Sequence, residues 1–421
     1  MAVAAAPPSE VATALARVHR EEWARVLAAT ARVTRDLDLA EECTQDAFAR
    51  ALETWPVDGI PRRPGAWLTT VAGNRARDVV RREAHGRRLL PQLVIDEEPP
   101  SPYAVTPGPV PDDRLRLVFT CCHPALSPEA QVALTLRLVC GLSTADVARA
   151  FLVQESTMAA RITRAKRKIA AARIPYRVPS RDELPARLGP VTDVVHLVFT
   201  TGHTAPSGPE LVREHLVDVA VDMGRMLHRL LPDEASVTGL LALMLLAQAR
   251  RDTRVEHGSL VLLADQDRAR WDRELIAEGT GLVAQALVQA PPDRFAVEAA
   301  IAAVHAEAPT WERTDWGEVV GLYDVLLRLW PSPVVALGRA VAVGLRDGPE
   351  AGLVALEPLL TDPAVATYPY VSATRADLLR RLEAWDDAAL AYEEASALAG
   401  NEVERAFLLG RLEQVRAHLA R

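Results

Sequence analysis

Lysine is almost missing from this chain of 421 residues: it occurs only as Lys166 and Lys168, so arginine fills nearly all of the 48 basic positions. Aromatic residues make up 5% and cysteines number four, Cys43, Cys121, Cys122 and Cys140. No CxxC pair occurs and the adjacent Cys121 and Cys122 do not bridge easily, which excludes a disulfide framework and leaves reduced thiols as the expectation. Cys121, Cys122 and His123 have no second ligand pair at finger-like spacing, so neither a metal nor another cofactor is expected. A run of about 18 apolar residues is also missing, as is a basic start followed by an apolar core. Membrane spanning and secretion are therefore not supported, and a cytoplasmic protein is expected. No phosphate loop, HExxH or paired nucleophile and base is visible, so the chain does not read as an enzyme.

What is present is alanine, leucine and charge. Hydrophobic residues make up 49% and charged residues 25%, a composition that favours an all-α protein, and the length exceeds one ordinary core, so several domains are expected. The net charge of −8 argues against indiscriminate coating of nucleic acid, but it is unevenly spread. Arg62 to Arg88 is strongly basic, and Ser156 to Ser180 contains no acidic residue.

The second of these stretches carries the sharpest local pattern. Ser143 is a good N-cap for a short helix with Ala145, Val147, Ala148 and Phe151 on one side. After a connection through Leu152 and Val153, a second helix starts near Glu155 to Thr157, with Met158, Ile162, Ala165 and Ile169 as its apolar stripe. Its other face holds Thr157, Arg161, Arg164 and Lys168, flanked by Lys166 and Arg167. Two helices, a tight turn and a cationic outer face suit a helix-turn-helix laid in a major groove, where arginine reads guanine edges.

Upstream, residues 10 to 55 read as two or three helices. Leu39, Cys43, Ala47, Ala51, Leu52 and Trp55 form one apolar set, with Glu41, Glu42, Gln45 and Asp46 off that face. A helix beginning at Ala66 carries Trp67, Asn74, Arg75, Arg77, Arg81 and Arg82. Stacking, hydrogen-bonding and phosphate-binding groups on one element suit single-stranded nucleic acid. Residues 89–112 are proline-rich and acidic and read as a linker. Periodicity resumes at Leu115, and prolines mark a second boundary between Ile174 and Pro190.

The order of these parts resembles the extracytoplasmic-function group of bacterial sigma factors. The segment from Ala40 to Phe48 is similar to the sigma-two helix that docks on core RNA polymerase, and Trp67, Leu68, Ala72, Asn74, Asp78, Arg81 and Arg82 match the helix that follows it. Thr157, Met158, Arg161, Arg164, Ala165, Lys166 and Ile169 match the recognition helix of the sigma-four domain. The resemblance implies a sigma-two domain over 10–88, the linker over 89–112, a sigma-four helix-turn-helix domain over 113–175 and a tetratricopeptide-like helical extension over 190–421. Its implied partners are core RNA polymerase, through Glu41, Glu42, Gln45 and Asp46, and promoter DNA. Trp67, Asn74, Arg75, Arg77, Arg81 and Arg82 would hold the melted minus-ten strand, while Thr157, Arg161, Arg164, Lys166, Arg167 and Lys168 would meet the minus-thirty-five duplex.

In the extension, Ala388, Tyr392, Ala395 and Gly400 approximate the small, aromatic, small and turn positions of a 34-residue helical hairpin. Contact of this extension with the sigma part is a further expectation, because tethering raises its effective concentration. Asp265, Gln266, Asp267, Asp272 and Glu274 alternate with Arg268, Arg270, Trp271 and Arg273, which reads as an ion-pair network between helices. Two other functions fit less of the chain. A ligand-responsive helix-turn-helix activator needs no polymerase-docking face, and a repeat scaffold needs no basic helix.

Overall fold

The computed structural model describes residues 8–89, 112–151, 153–289 and 292–420. The expected linker falls outside them except for Leu89 and Asp112, as does Leu152 of the helix-turn-helix connection. The described chain is helical, as composition predicts, and its only named strands are the two-residue pair Val255–Glu256 and Ser259–Leu260 (β1 and β2). It divides into two compact units, Met1–Val194 and Val195–Arg421.

In the first unit, α1 (Pro8–Thr34), α2 (Leu37–Asp58) and α3 (Pro64–Leu89) form a bundle. Asp36 caps α2 by accepting the Leu39 N–H at 2.9 Å, and Arg35, at φ 54, makes the tight turn before it. Of the expected α2 set, Cys43, Ala47, Ala51 and Trp55 are buried, joined by Ala40 and Phe48, whereas Leu39 is half-buried and Leu52 is exposed. After the linker come α4 (Asp113–Cys121) and α5 (Pro128–Leu134), the latter continuing through a π-turn at Thr135–Val139, and then α6 (Thr144–Phe151) and α7 (Glu155–Ala171). The Ser143 Oγ accepts the Asp146 N–H at 3.1 Å and donates to its carboxylate, a reciprocal cap at the position expected. The thiols of Cys121 and Cys122 are buried, and burial pushes Cys122 up to about 12, so both stay protonated at neutral pH.

The two sequence modules do not stand apart in this unit. The Trp23 indole on α1 donates to the Leu138 carbonyl in the π-turn at 3.1 Å, and the Tyr176 hydroxyl donates to the Ala28 carbonyl at 2.9 Å. Gly141 makes the first of these fits possible. It sits at φ +73, and a Cβ there would lie 2.9 Å from the Trp23 ring, so both backbone and space require glycine.

The boundary between the units falls in α8 (Leu184–His203), close to the proline-marked one. The second unit contains α9 (Glu214–Leu230), α10 (Ala235–Gln248), the β1–β2 hairpin, α11 (Arg273–Val288), α12 (Arg294–Glu307), α13 (Trp316–Leu329), α14 (Pro333–Arg346), α15 (Pro349–Leu356), α16 (Pro369–Arg381), α17 (Trp385–Leu398) and α18 (Glu402–Leu419). Neighbouring helices pack in sequence, with α10 against both α11 and α12. Ala388, Tyr392 and Ala395 are buried between α16, α17 and α18, as the repeat pattern predicts. The end of this unit is tied to its beginning: the Asn401 side chain donates to the Ala205 and Glu210 carbonyls at 3.1 and 2.9 Å, and the Glu402 N–H donates to Gly208.

The segment expected to be an ion-pair network is built mainly from caps. Asp267 and Asp272 accept backbone N–H groups at the starts of their helices, and Arg268 lies over Trp271 while donating to the His305 and Ala308 carbonyls. Arg270 pairs with Glu256. Short aspartates at these spacings satisfy orphaned N–H groups more readily than they reach across helices.

Candidate nucleic-acid and protein interfaces

The helix α7 presents the face its spacing promised. Met158, Ile162, Ala165 and Ile169 are buried, whereas Thr157, Arg164, Arg167 and Lys168 are exposed and Arg161 is half-buried. Arg161, Arg164 and Lys168 line a depression of about 420 Å³ with Ser127, Glu129 and Ala130 at the start of α5. Three cations against the one carboxylate of Glu129 leave this open concavity net positive, which suits an anionic partner.

On α3, Asn74, Arg77, Arg81 and Arg82 are exposed, and Arg75 and Trp67 are half-buried. Trp67 rests edge-on against Trp55, with centroids 5.7 Å apart, which fixes its ring at the surface. The Arg77 guanidinium donates to Asn74 Oδ1 at 2.8 Å. On α2, Glu42, Gln45 and Asp46 are exposed, and Asp46 accepts from Arg75 Nε at 3.0 Å. That pair is open to solvent on both sides, so it holds the two side chains only weakly.

Two residues depart from the expected surfaces. Glu41, placed by its motif on a protein-docking face, is only 7% exposed, and Lys166, placed on the DNA face, is 8% exposed. They bind each other. Lys166 Nζ lies 2.7 Å from Glu41 Oε2 and 2.7 Å from Asp38 Oδ1, while Arg137, from the π-turn, pairs with the other Glu41 oxygen. Gln45 adds a bond to Glu41 at 3.3 Å, and the second arm of Arg137 donates to the Leu142 carbonyl at 2.8 Å. Burial alone pulls the Lys166 ammonium down, but the Glu41 and Asp38 carboxylates outweigh it and leave its pKa raised. A buried carboxylate is tolerable because two cations and an amide neutralise it.

Local spacing does not mark Asp38, Arg137 or Trp23 as site residues. The available signal was Arg137 itself, a lone charge inside the apolar run Leu134–Val139. A cation in such a run requires a buried partner.

Comparison with known proteins finds two matches within the first unit. Sigma-70 region 2 matches residues 20–86, and Sigma-70, region 4 matches residues 116–169. Two ECF RNA polymerase sigma factors called SigK, from Mycobacterium tuberculosis (strain ATCC 25618 / H37Rv) and Mycobacterium ulcerans (strain Agy99), are 30% and 29% identical. The alignments cover 37% of this chain and 83% and 82% of theirs.

The chain belongs to the ECF RNA polymerase sigma factors. It is an alternative sigma factor, which directs core RNA polymerase to promoters and initiates transcription, and its family is one of transcription factors rather than enzymes. Nothing favours the ligand-responsive activator. This sigma factor continues well beyond its two sigma regions. Residues 187–287 match a family of unknown function, and an uncharacterized protein of Rhizobium meliloti (strain 1021) is 43% identical over 94% of both chains. No solved structure matches. Among the described residues, no helix is long and apolar enough to cross a membrane.

Proposed function

We propose that Glu42, Gln45 and Asp46 meet the polymerase, that Trp67, Asn74, Arg75, Arg77, Arg81 and Arg82 hold the melted minus-ten strand, and that Thr157, Arg161, Arg164, Arg167 and Lys168 engage the minus-thirty-five duplex. The observation that supports this assignment is the cationic concavity on α7, open to solvent and lined by Arg161, Arg164 and Lys168. Lys166 and Glu41 are assigned instead to holding the first unit together. Run-off transcription with purified core polymerase and this chain tests the reading: new, promoter-dependent start sites are expected from that pair alone, and their absence would refute it.

Two substitutions separate the roles. Arg164→Ala is expected to cost about 1–3 kcal/mol of promoter discrimination, roughly 5- to 150-fold in preference, with core binding unchanged. Electrophoretic and transcription assays on the preferred promoter and on one with a scrambled upstream element check this, since equal losses on both would make Arg164 a phosphate contact. Gln45→Ala with Asp46→Ala is expected to weaken core binding while the fold stays intact, with at most a small fall in melting temperature from the lost Gln45–Glu41 and Asp46–Arg75 contacts, because both side chains are exposed. Normal pull-down of core polymerase by that variant would remove α2 from the docking surface.

We also propose that the extension acts on the sigma part through a reversible intramolecular contact, which tethering populates even when it is weak. Cross-linking of the full chain at low protein concentration with peptide mapping tests it. Cross-links that join the two units away from α8 are expected, and their absence would reject the contact.

A further inference from the structure

The second unit contains a cavity of about 570 Å³ that none of the polymerase or promoter roles uses. Two of its walls come from the helices α16 and α18, each of which packs against α17. The Tyr370 hydroxyl in the first turn of α16 donates to Glu404 in the first turn of α18, and at the other end the Arg411 charge reaches Tyr392, which also bonds Arg380. From α16 the cavity takes Tyr370, Ala373, Thr374, Asp377 and Arg381, and from α18 it takes Glu404, Phe407, Leu408 and Arg411. Both sets recur at three- and four-residue spacing, so each helix contributes one continuous face. Eleven residues separate Tyr370 from Arg381, a length of about 16 Å. The other lining is largely apolar, with Leu260 of β2, Leu262 and Leu263 after it, Trp311, and Val341 and Leu345 of α14, and it also includes Asp265.

The charged residues of the lining are equal in number, Arg380, Arg381 and Arg411 against Asp265, Asp377 and Glu404, but they are not equally paired. Asp377 Oδ1 lies 2.6 Å from Arg380, and Glu404 is held by Tyr370 with the Arg254 charge close to both. Arg381 donates to the uncharged Gly344 carbonyl at 3.0 Å, and Arg411 donates to Gln414 and lies over the Phe407 ring at 5.2 Å. The buried Nε of Arg380 has no partner. Two guanidinium groups of the lining, Arg381 and Arg411, thus bond to uncharged groups.

We propose that this cavity binds a small amphipathic carboxylate, with its apolar body along Phe407, Leu408 and the Leu260–Leu263 wall and its carboxylate at Arg381 and Arg411. A volume of this size is in the range of small-molecule sites, which are largely apolar with a few placed polar groups. Planar guanidinium groups give a carboxylate paired N–H donors, and an apolar surround strengthens that bond. The Arg381 and Arg411 guanidinium groups, bonded to uncharged partners, repel an amphipathic cation seated with its charge at the same place. The site lies in the extension alone, so its test does not depend on transcription.

Sodium decanoate, titrated into the full chain below its micellar concentration, is the probe, with Trp311 fluorescence and calorimetry as readouts. Saturable binding is expected, absent for decylammonium and for acetate. Removing charge-assisted donors in Arg381→Gln with Arg411→Gln is expected to weaken decanoate binding by about tenfold or more. Circular dichroism and an unchanged melting temperature show whether that variant is folded, and Ala373→Phe, which enlarges a half-buried lining residue and fills the cavity without adding charge, gives an independent block. Absence of saturable binding, equal binding of decylammonium, or undiminished binding in both folded variants would overturn the proposal.

Discussion

Glu41→Ala is expected to lower the stability of the first unit by roughly 3–5 kcal/mol, the cost of stranding buried charge when one member of a buried ion pair is removed. The substitution leaves Lys166 and Arg137 without the carboxylate that joins them, and only the largely exposed Asp38 still faces the lysine. Lys166→Ala costs less, because Arg137 continues to neutralise Glu41. The two residues share one interaction, so the double variant Glu41→Ala/Lys166→Ala is expected to fall well short of the sum of the single losses. Thermal and urea unfolding of the four proteins measure this. A residue serving only to dock polymerase or DNA would leave stability unchanged, and that result for both single variants would return Glu41 and Lys166 to their motif-based roles. The raised pKa of Lys166 means that its contribution is complete below the unfolded value near 10.4 and fades only as pH rises through the higher folded one. The clasp is therefore fully formed at neutral pH.

The α7 stripe was legible because Met158, Ile162, Ala165 and Ile169 repeat at helical spacing over four turns, and burial follows that repeat. Lys166 lies one position from Ala165, at the edge of the stripe. Periodicity alone gives such a residue to the outer face, and only the α2 carboxylates, 125 and 128 positions away, draw it inward. The same limit hid Arg137, whose partner Glu41 is 96 residues distant. Long-range partners leave no trace in local spacing. The 265–274 segment failed for the opposite reason: its aspartates are used within two or three residues, as caps, and a charge pattern does not distinguish a cap from an ion pair. In the extension, the repeat residues Ala388, Tyr392 and Ala395 were legible, but the cavity was not, because its walls come from segments between Leu260 and Arg411.

Acid is expected to unfold the second unit before the first, through histidines buried in neutral form. Burial, reinforced by Arg294, lowers His196 to about 4; burial with Arg254 and Arg250 lowers His203 to about 2; and burial with Arg250 and Arg268 lowers His305 to about 4. Each folded value lies below the unfolded one near 6.5, so the associated stability is present above pH 6.5 and is lost as pH falls towards the folded values. Glu298 works in the other direction. Burial raises it to about 7, so its contribution is full below the unfolded value near 4.3, declines as pH rises and is lost through pH 7. Between pH 6.5 and 5 it offsets about one histidine, leaving a net loss on the order of 3 kcal/mol for the unit. Melting followed from pH 8 to 4.5 checks the sign, with the transition of the second unit falling below pH 6.5. His203→Gln, which removes the most strongly depressed group and the proton it excludes, is expected to flatten that fall even if it lowers stability at pH 8. A melting temperature of the second unit that stays constant from pH 7 to 5 would show that these imidazoles take up protons without strain in the folded chain.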